Sequence, residues 1–134
     1  MNREETIELR EFVMENDLSR PRYFNWLSIG DLDAAWNGIG ADWFPEWLRR
    51  AFTTVLHRLR PLAFIHDVEF AYAPRTYWAF STANARWAYN ALLMVIRDPL
   101  MLFAIRFLVC AWICALACQL GGWKGFKSER QGRR

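Results

Sequence analysis

His66 and Asp67 stand side by side in a mostly apolar run, residues 61–72, with Phe70 one helical turn after the histidine. An imidazole beside a carboxylate can serve proton transfer, with histidine as the base. It can also serve metal binding, with the carboxylate as a hard oxygen ligand. On a helix, adjacent side chains project about 100° apart, whereas positions four apart share a face. His66 and Phe70 therefore lie on one side, and Asp67 leaves on another. The same spacing also describes a boundary helix whose His66 caps a neighbour while Asp67 faces water, and spacing alone favours that reading.

Three other groups could carry chemistry. Asn37-Gly38-Ile39-Gly40 places two glycines close together, which permits positive φ and close backbone approach. Such a loop could aim carbonyls at a cation or be a plain turn, and by itself it favours the turn. No phosphate-cradling glycine motif accompanies it. Arg49, Arg50, Arg58 and Arg60, with His57, fall on the polar side of an amphipathic pattern. That basic face is either solvated or meets phosphates of lipid or nucleic acid. Nothing resembles a nucleic-acid reading motif, so sequence-specific binding is not expected. Cys110, Cys114 and Cys118 repeat every fourth residue along one helical face, too far apart for an ordinary intrahelical disulfide. They read as small core residues, with a disulfide to another chain as the alternative.

The elements that must position these groups read as helices. Asn2 with Glu5 forms a capping-box signature for a helix running to about Asp17. Its apolar stripe is only Leu9, Phe12 and Val13, so residues 1–17 should dock on something larger, in this chain or another. Residues 18–44 read as an irregular connector rich in aromatics: Tyr23, Phe24, Trp26, Trp36, Trp43 and Phe44. Pro45 suits the first turn of the next helix, whose buried side would be Trp47, Leu48, Ala51, Phe52, Val55, Leu56 and Leu59. Pro61 breaks that helix and opens the His66 helix, which Pro74 ends. Ser81 or Thr82 can cap a helix running through Ile96. Asp98-Pro99 starts a last helix, which Gly121 ends near Leu120.

That last helix admits two readings. Residues 100–118 hold Arg106 as their only charge, close to the length that spans a bilayer, and a basic tail follows. An arginine within a span is costly, however, and the other helices are apolar enough to cover a core helix. A core helix is the favoured expectation.

At 134 residues, with over half of them hydrophobic and eight tryptophans, the chain fits one folded domain with a single core. Charge is unevenly placed. Residues 1–17 set two arginines against six carboxylates, a net of −4, while residues 124–134 carry a net of +4. An acidic start and a basic end suggest head-to-tail contacts or an anionic partner for the tail. The charged opening does not read as a signal peptide. The expected organisation is a docking helix over 1–17, a helical domain over 18–126 and a basic tail over 127–134.

Taken together, the glycine loop at 37–40, His66-Asp67 and the later Ala83-Asn84-Ala85-Arg86-Trp87 resemble a group of small phage and prophage proteins. Those proteins carry a glycine loop, a His-Asp helix and an Ala-Asp-Arg helix, and are loosely similar to phospholipase A2. The resemblance covers residues 30–126. It implies His66 as the base that activates water, Asp67 as a calcium ligand, and carbonyls near Gly38 and Gly40 completing the calcium site. Calcium would then polarise the ester carbonyl. The chain departs from the pattern in four ways. Phe70 stands where the family has tyrosine, and Asn84 where an aspartate orients the imidazole. A basic helix is inserted between loop and histidine, and the half-cystines of the secreted enzymes are missing. The resemblance thus implies a framework that outlasts the activity.

The resulting expectation is an all-α protein of about five helices, with the His66 helix antiparallel to the 83–96 helix and the 100–120 helix packed across both. The leading functional expectation is a virion or assembly component, located in the virion or host cytoplasm and working through self-association or contacts with phage structural proteins. The alternatives are a calcium-dependent phospholipid esterase that uses its arginines on an anionic membrane, and a small membrane protein anchored by residues 100–120.

Overall fold

The computed structural model describes residues 2–36, 47, 57–97 and 101–128. It is all-helical, with no strand among the described residues. Helix α1, Arg3–Glu15, begins at the expected capping box: Asn2 Oδ1 accepts the Glu5 amide at 2.8 Å, and Glu5 Oε2 accepts the Asn2 amide at 3.2 Å. It ends in a Schellman turn. Asp17 takes a positive φ of 43°, and the Leu18 amide donates to the Val13 carbonyl at 3.1 Å. Buried Leu18 thereby meets buried Val13, as that motif requires.

The stretch expected to be an irregular connector carries two short elements. A 3-10 turn, Arg22–Trp26, buries Phe24. Helix α2, Ile29–Ala35, has its own capping box between Ser28 and Asp31 and buries Leu32 and Ala35. Asp31 sits three residues after Ser28, so the signature was present, but the aromatics around it masked the pattern. The expected turn at 37–40, the aromatics Trp43 and Phe44, and the body of the basic helix lie outside the described residues.

Helix α3, Arg60–Tyr72, follows a 3-10 turn at His57–Leu59 and has Pro61 in its first turn. The expectation of a boundary helix fails here. Pro61 to His66, Val68 and Glu69 are all buried, so α3 is the central helix. Phe64, Ile65 and Val68 pack with Val13, Leu18, Phe24, Leu32 and Ala35 on one side. Leu62 and Ala63 pack with Trp87, Ala91 and Ala111 on the other. Each fully buried side chain of this size contributes roughly 1.5–3 kcal/mol relative to exposure. Helix α1 docks on α2 and α3 of its own chain, which answers where its thin stripe goes.

Helix α4, Tyr77–Arg97, starts earlier than the Ser81 or Thr82 cap expected for it. Thr76 is the cap, its hydroxyl accepting the Ala79 amide at 3.1 Å. Phe80 pairs with Phe70, Asn84 with His66, and Trp87 and Ala91 with Ala63. Partners that descend one helix as they ascend the other make α3 and α4 antiparallel, as expected. Helix α5, Met101–Gly121, packs back along α4, and α6, Trp123–Ser128, folds its buried Phe126 against Phe70 and Phe80. Gly122 makes that corner: a Cβ there would lie 2.7 Å from the Cys118 carbonyl oxygen. The start signal Asp98-Pro99 lies outside the described residues.

Among the described side chains of α5, the expectation that other helices would cover it holds for one face only. Ala111 is buried and Cys114 and Ala115 pack behind it, whereas Val109, Trp112, Ile113, Leu116 and Leu120 are 51–79% exposed. Among the residues whose side chains are described, no helix is long and apolar enough to cross a membrane.

Two substitutions test this account. Asn90, 1% exposed, accepts the Ser19 amide at 2.7 Å and donates to the Ser19 carbonyl at 2.8 Å, clamping the turn after α1 onto α4. Asn90→Ala should cost about 2 kcal/mol in urea unfolding, because both backbone groups lose their partner. Asp17→Gly should stabilise by about 1 kcal/mol, since glycine adopts positive φ without steric cost, and thermal melting reads the sign.

Candidate functional site

The structure brings His66 and Asn84 together. The ring Nε2 lies 2.9 Å from Asn84 Oδ1. Asn84 Nδ2 donates to Gln119 Oε1 at 2.7 Å, and Gln119 Nε2 donates to Tyr77 Oη at 3.0 Å and Ser81 Oγ at 3.2 Å. This chain of bonds crosses α3, α4 and α5. An amide oxygen only accepts, so Nε2 carries the ring proton and Nδ1 keeps the lone pair. The imidazole lies 4.1 Å from the Phe70 ring and meets Trp87 edge-on at 5.3 Å, while Trp87 Nε1 donates to the Ala111 carbonyl at 2.9 Å.

Burial governs the acid–base behaviour of His66. Desolvation pushes its pKa down to about 4, and the bond to Asn84 opposes this only in part. At neutral pH the ring is uncharged. A general base works best with a pKa near the working pH, and His66 is a much weaker base than that. An amide beside the ring also cannot stabilise an imidazolium as a carboxylate does. In a serine-protease triad the corresponding aspartate-to-asparagine change lowers kcat by about 10⁴.

Asp67 leaves α3 on a different side, half-buried. Its carboxylate lies close enough to Cys118 to help raise that thiol's pKa to about 11, after burial itself and Cys114. Cys114 and Cys118 are free thiols on the covered side of α5, which fits small core residues; the Cys110 side chain lies outside the described part. Gly38 and Gly40 lie outside the described residues, as do Arg49 and Arg50. No group of three His, Cys, Asp or Glu side chains among the described residues is arranged to hold a metal ion.

The basic face needs a correction. Arg58 is exposed, as expected, but Arg60 turns inward. It pairs with Glu5 of α1 at 3.5 Å and its guanidinium lies 5.9 Å over the Trp36 ring. An arginine one residue before Pro61 sits where α1 crosses the start of α3, so the acidic first turn of α1 draws it in.

Sequence reasoning missed the second polar link between α3 and α4. Glu69 is buried and pairs with Arg86, whose Nε donates to Ser19 Oγ at 3.3 Å. Burial raises the Tyr23 phenol above its ordinary range, with Arg86 and Arg75 acting against that rise. The available signal was a carboxylate three residues after His66 in an apolar helix, and one glutamine, Gln119, in the apolar run of α5.

Because His66 is held neutral, stability should fall with acid. The unfolded ring takes up a proton near pH 6.5, whereas the folded ring does so only near 4. Stability should therefore be complete above about pH 6.5 and decline as pH falls toward 4, by roughly 3 kcal/mol at most. Urea midpoints between pH 7 and 5 should drop for the natural chain and stay level for His66→Gln, which keeps a donor for Asn84 without the titration. Comparison with protein-family models, curated proteins and solved structures finds no match for this chain.

Proposed function

We propose that this chain is a helical assembly component that works through surface contacts, on a phospholipase-A2-like frame whose catalytic centre has become structural. The observation that carries this reading is where the aromatic residues stand. Trp26, Trp47, Trp78 and Trp112 are each at least half exposed, while His66 is closed in between Phe70 and Trp87. Tryptophan is costly on a free surface and is enriched at the energetic centres of protein interfaces. The partners suited to such a surface are a second copy of the chain or, as the resemblance implies, phage structural proteins in the virion or host cytoplasm.

A second reading has one observation in its favour. The 2.9 Å contact between His66 and Asn84 pairs the imidazole with the residue that would orient it in a calcium-dependent esterase. Asp67 would supply the carboxylate of the calcium site.

Two measurements separate these readings. Sedimentation of the purified protein should show self-association that weakens at least about tenfold in Trp26→Ala/Trp47→Ala, the scale of one interface hot spot. A strictly monomeric protein that also fails to bind any purified virion protein would remove the assembly reading. Fatty-acid release from phospholipid vesicles with calcium should not exceed the His66→Ala background. Release that disappears both with chelator and in His66→Ala would establish the esterase instead.

A further inference from the structure

Three guanidinium groups face one polar hollow between the turn after α1 and the outer side of α4. The hollow has a volume of about 430 Å³, within the range of small-molecule sites. Arg20 and Arg22 reach it from the loop, and Arg97 from the end of α4. Tyr89, Leu93 and Arg97 stand four residues apart. Helix α4 thus offers a ring, an aliphatic side chain and a cation along one line about 12 Å long. The Tyr89 ring is half exposed at this wall.

The arginine charges are held in place but not neutralised. Arg20, with a side chain only 16% exposed, donates Nε to Asn25 Oδ1 at 2.8 Å and Nη1 to the Leu18 carbonyl at 2.9 Å. Arg97 donates to the Asn16 carbonyl. These acceptors are uncharged, and each guanidinium keeps further N–H donors. Arg22 is exposed and has no partner among the described residues. Among those residues Asp17 is the one carboxylate at the hollow. It lies 3.9 Å from Arg20 Nη1 and is 89% exposed, so water screens it. Two positive charges remain in excess, which matches a phosphomonoester dianion, and planar guanidinium donors suit phosphate oxygens. Inorganic phosphate alone would leave Tyr89 and Leu93 in water. A nucleobase would cover them, because every base has a flat π-face that stacks on an aromatic ring. The loop wall is already fixed, since Asn90 holds both backbone groups of Ser19.

We infer that this hollow binds a nucleoside monophosphate, with the phosphate among Arg20, Arg22 and Arg97 and the base against Tyr89. None of these residues belongs to the His66 centre, and the inference does not depend on the assembly reading.

Isothermal titration of the full chain tests it. AMP and UMP should both bind, because stacking on Tyr89 reads a flat ring rather than a base edge. Adenosine and inorganic phosphate should each bind at least roughly tenfold more weakly. Arg22→Glu alters an exposed side chain, so Tm should hold while AMP affinity falls roughly tenfold or more. Tyr89→Ala should weaken AMP by about tenfold and leave inorganic phosphate unchanged. Asp17→Asn removes the opposing carboxylate, keeps a residue that tolerates positive φ, and should tighten AMP about two- to fivefold. Arg3→Glu changes net charge as Arg22→Glu does, but about 20 Å away at the far end of α1, and should bind like the natural chain. Absence of binding by either nucleotide overturns the inference. Inorganic phosphate that binds as tightly as AMP overturns it too, as do equal losses in Arg3→Glu and Arg22→Glu, since either makes the arginines a general anion surface.

Discussion

Burial of α3 on nearly every side is the constraint from which the rest of the architecture follows. A helix in that position may carry polar side chains only where each is met by a partner, because an unpaired buried group costs about 1–3 kcal/mol, and more when charged. Both of its buried polar side chains, His66 and Glu69, are met from α4, by Asn84 and Arg86. A shift of α4 along α3 by one residue would strand both at once, so this pair of contacts specifies the register of the central helices. Gln119 and the Trp87 bond to the Ala111 carbonyl then fix α5 to the same pair.

That arrangement also sets the acid–base character of His66. The ring spends its donor on an amide, lies against two aromatics and is held uncharged by desolvation. Each of these makes a good structural histidine and a poor base. Tryptophan divides between the packed interior and the surface. Trp87 packs inside, and Trp26, Trp47, Trp78 and Trp112 stand outside.

The two charged ends are treated differently by the fold. Of the acidic start, Glu5 is engaged locally: it caps α1 and pairs with Arg60, which ties the first helix to the head of the central one. Helix α6 sets Phe126 beside Phe70 and Phe80 while Lys127 faces outward. Gly122 lets the chain turn after α5, since a Cβ there would lie 2.7 Å from the Cys118 carbonyl oxygen.

Local rules were readable in the chain and held where they rest on neighbouring residues. The Asn2–Glu5 capping box, the stop near Asp17, the proline limits of α3 and the all-helical class depend on spacings of one to four residues. The pairing of His66 with Asn84 was suggested by resemblance, and eighteen residues of separation put it beyond any periodicity argument. What only the tertiary structure decided is which face of each helix is covered. A helical pattern states that a residue is apolar, not whether a neighbour exists to receive it. Hence α3, read as a border helix, is central, while α5, read as a core helix, keeps one side open. Arg60, read as part of an outward basic face, turns to Glu5 because α1 happens to cross there. Long-range packing sets dielectric and exposure, and these in turn set the chemistry of His66.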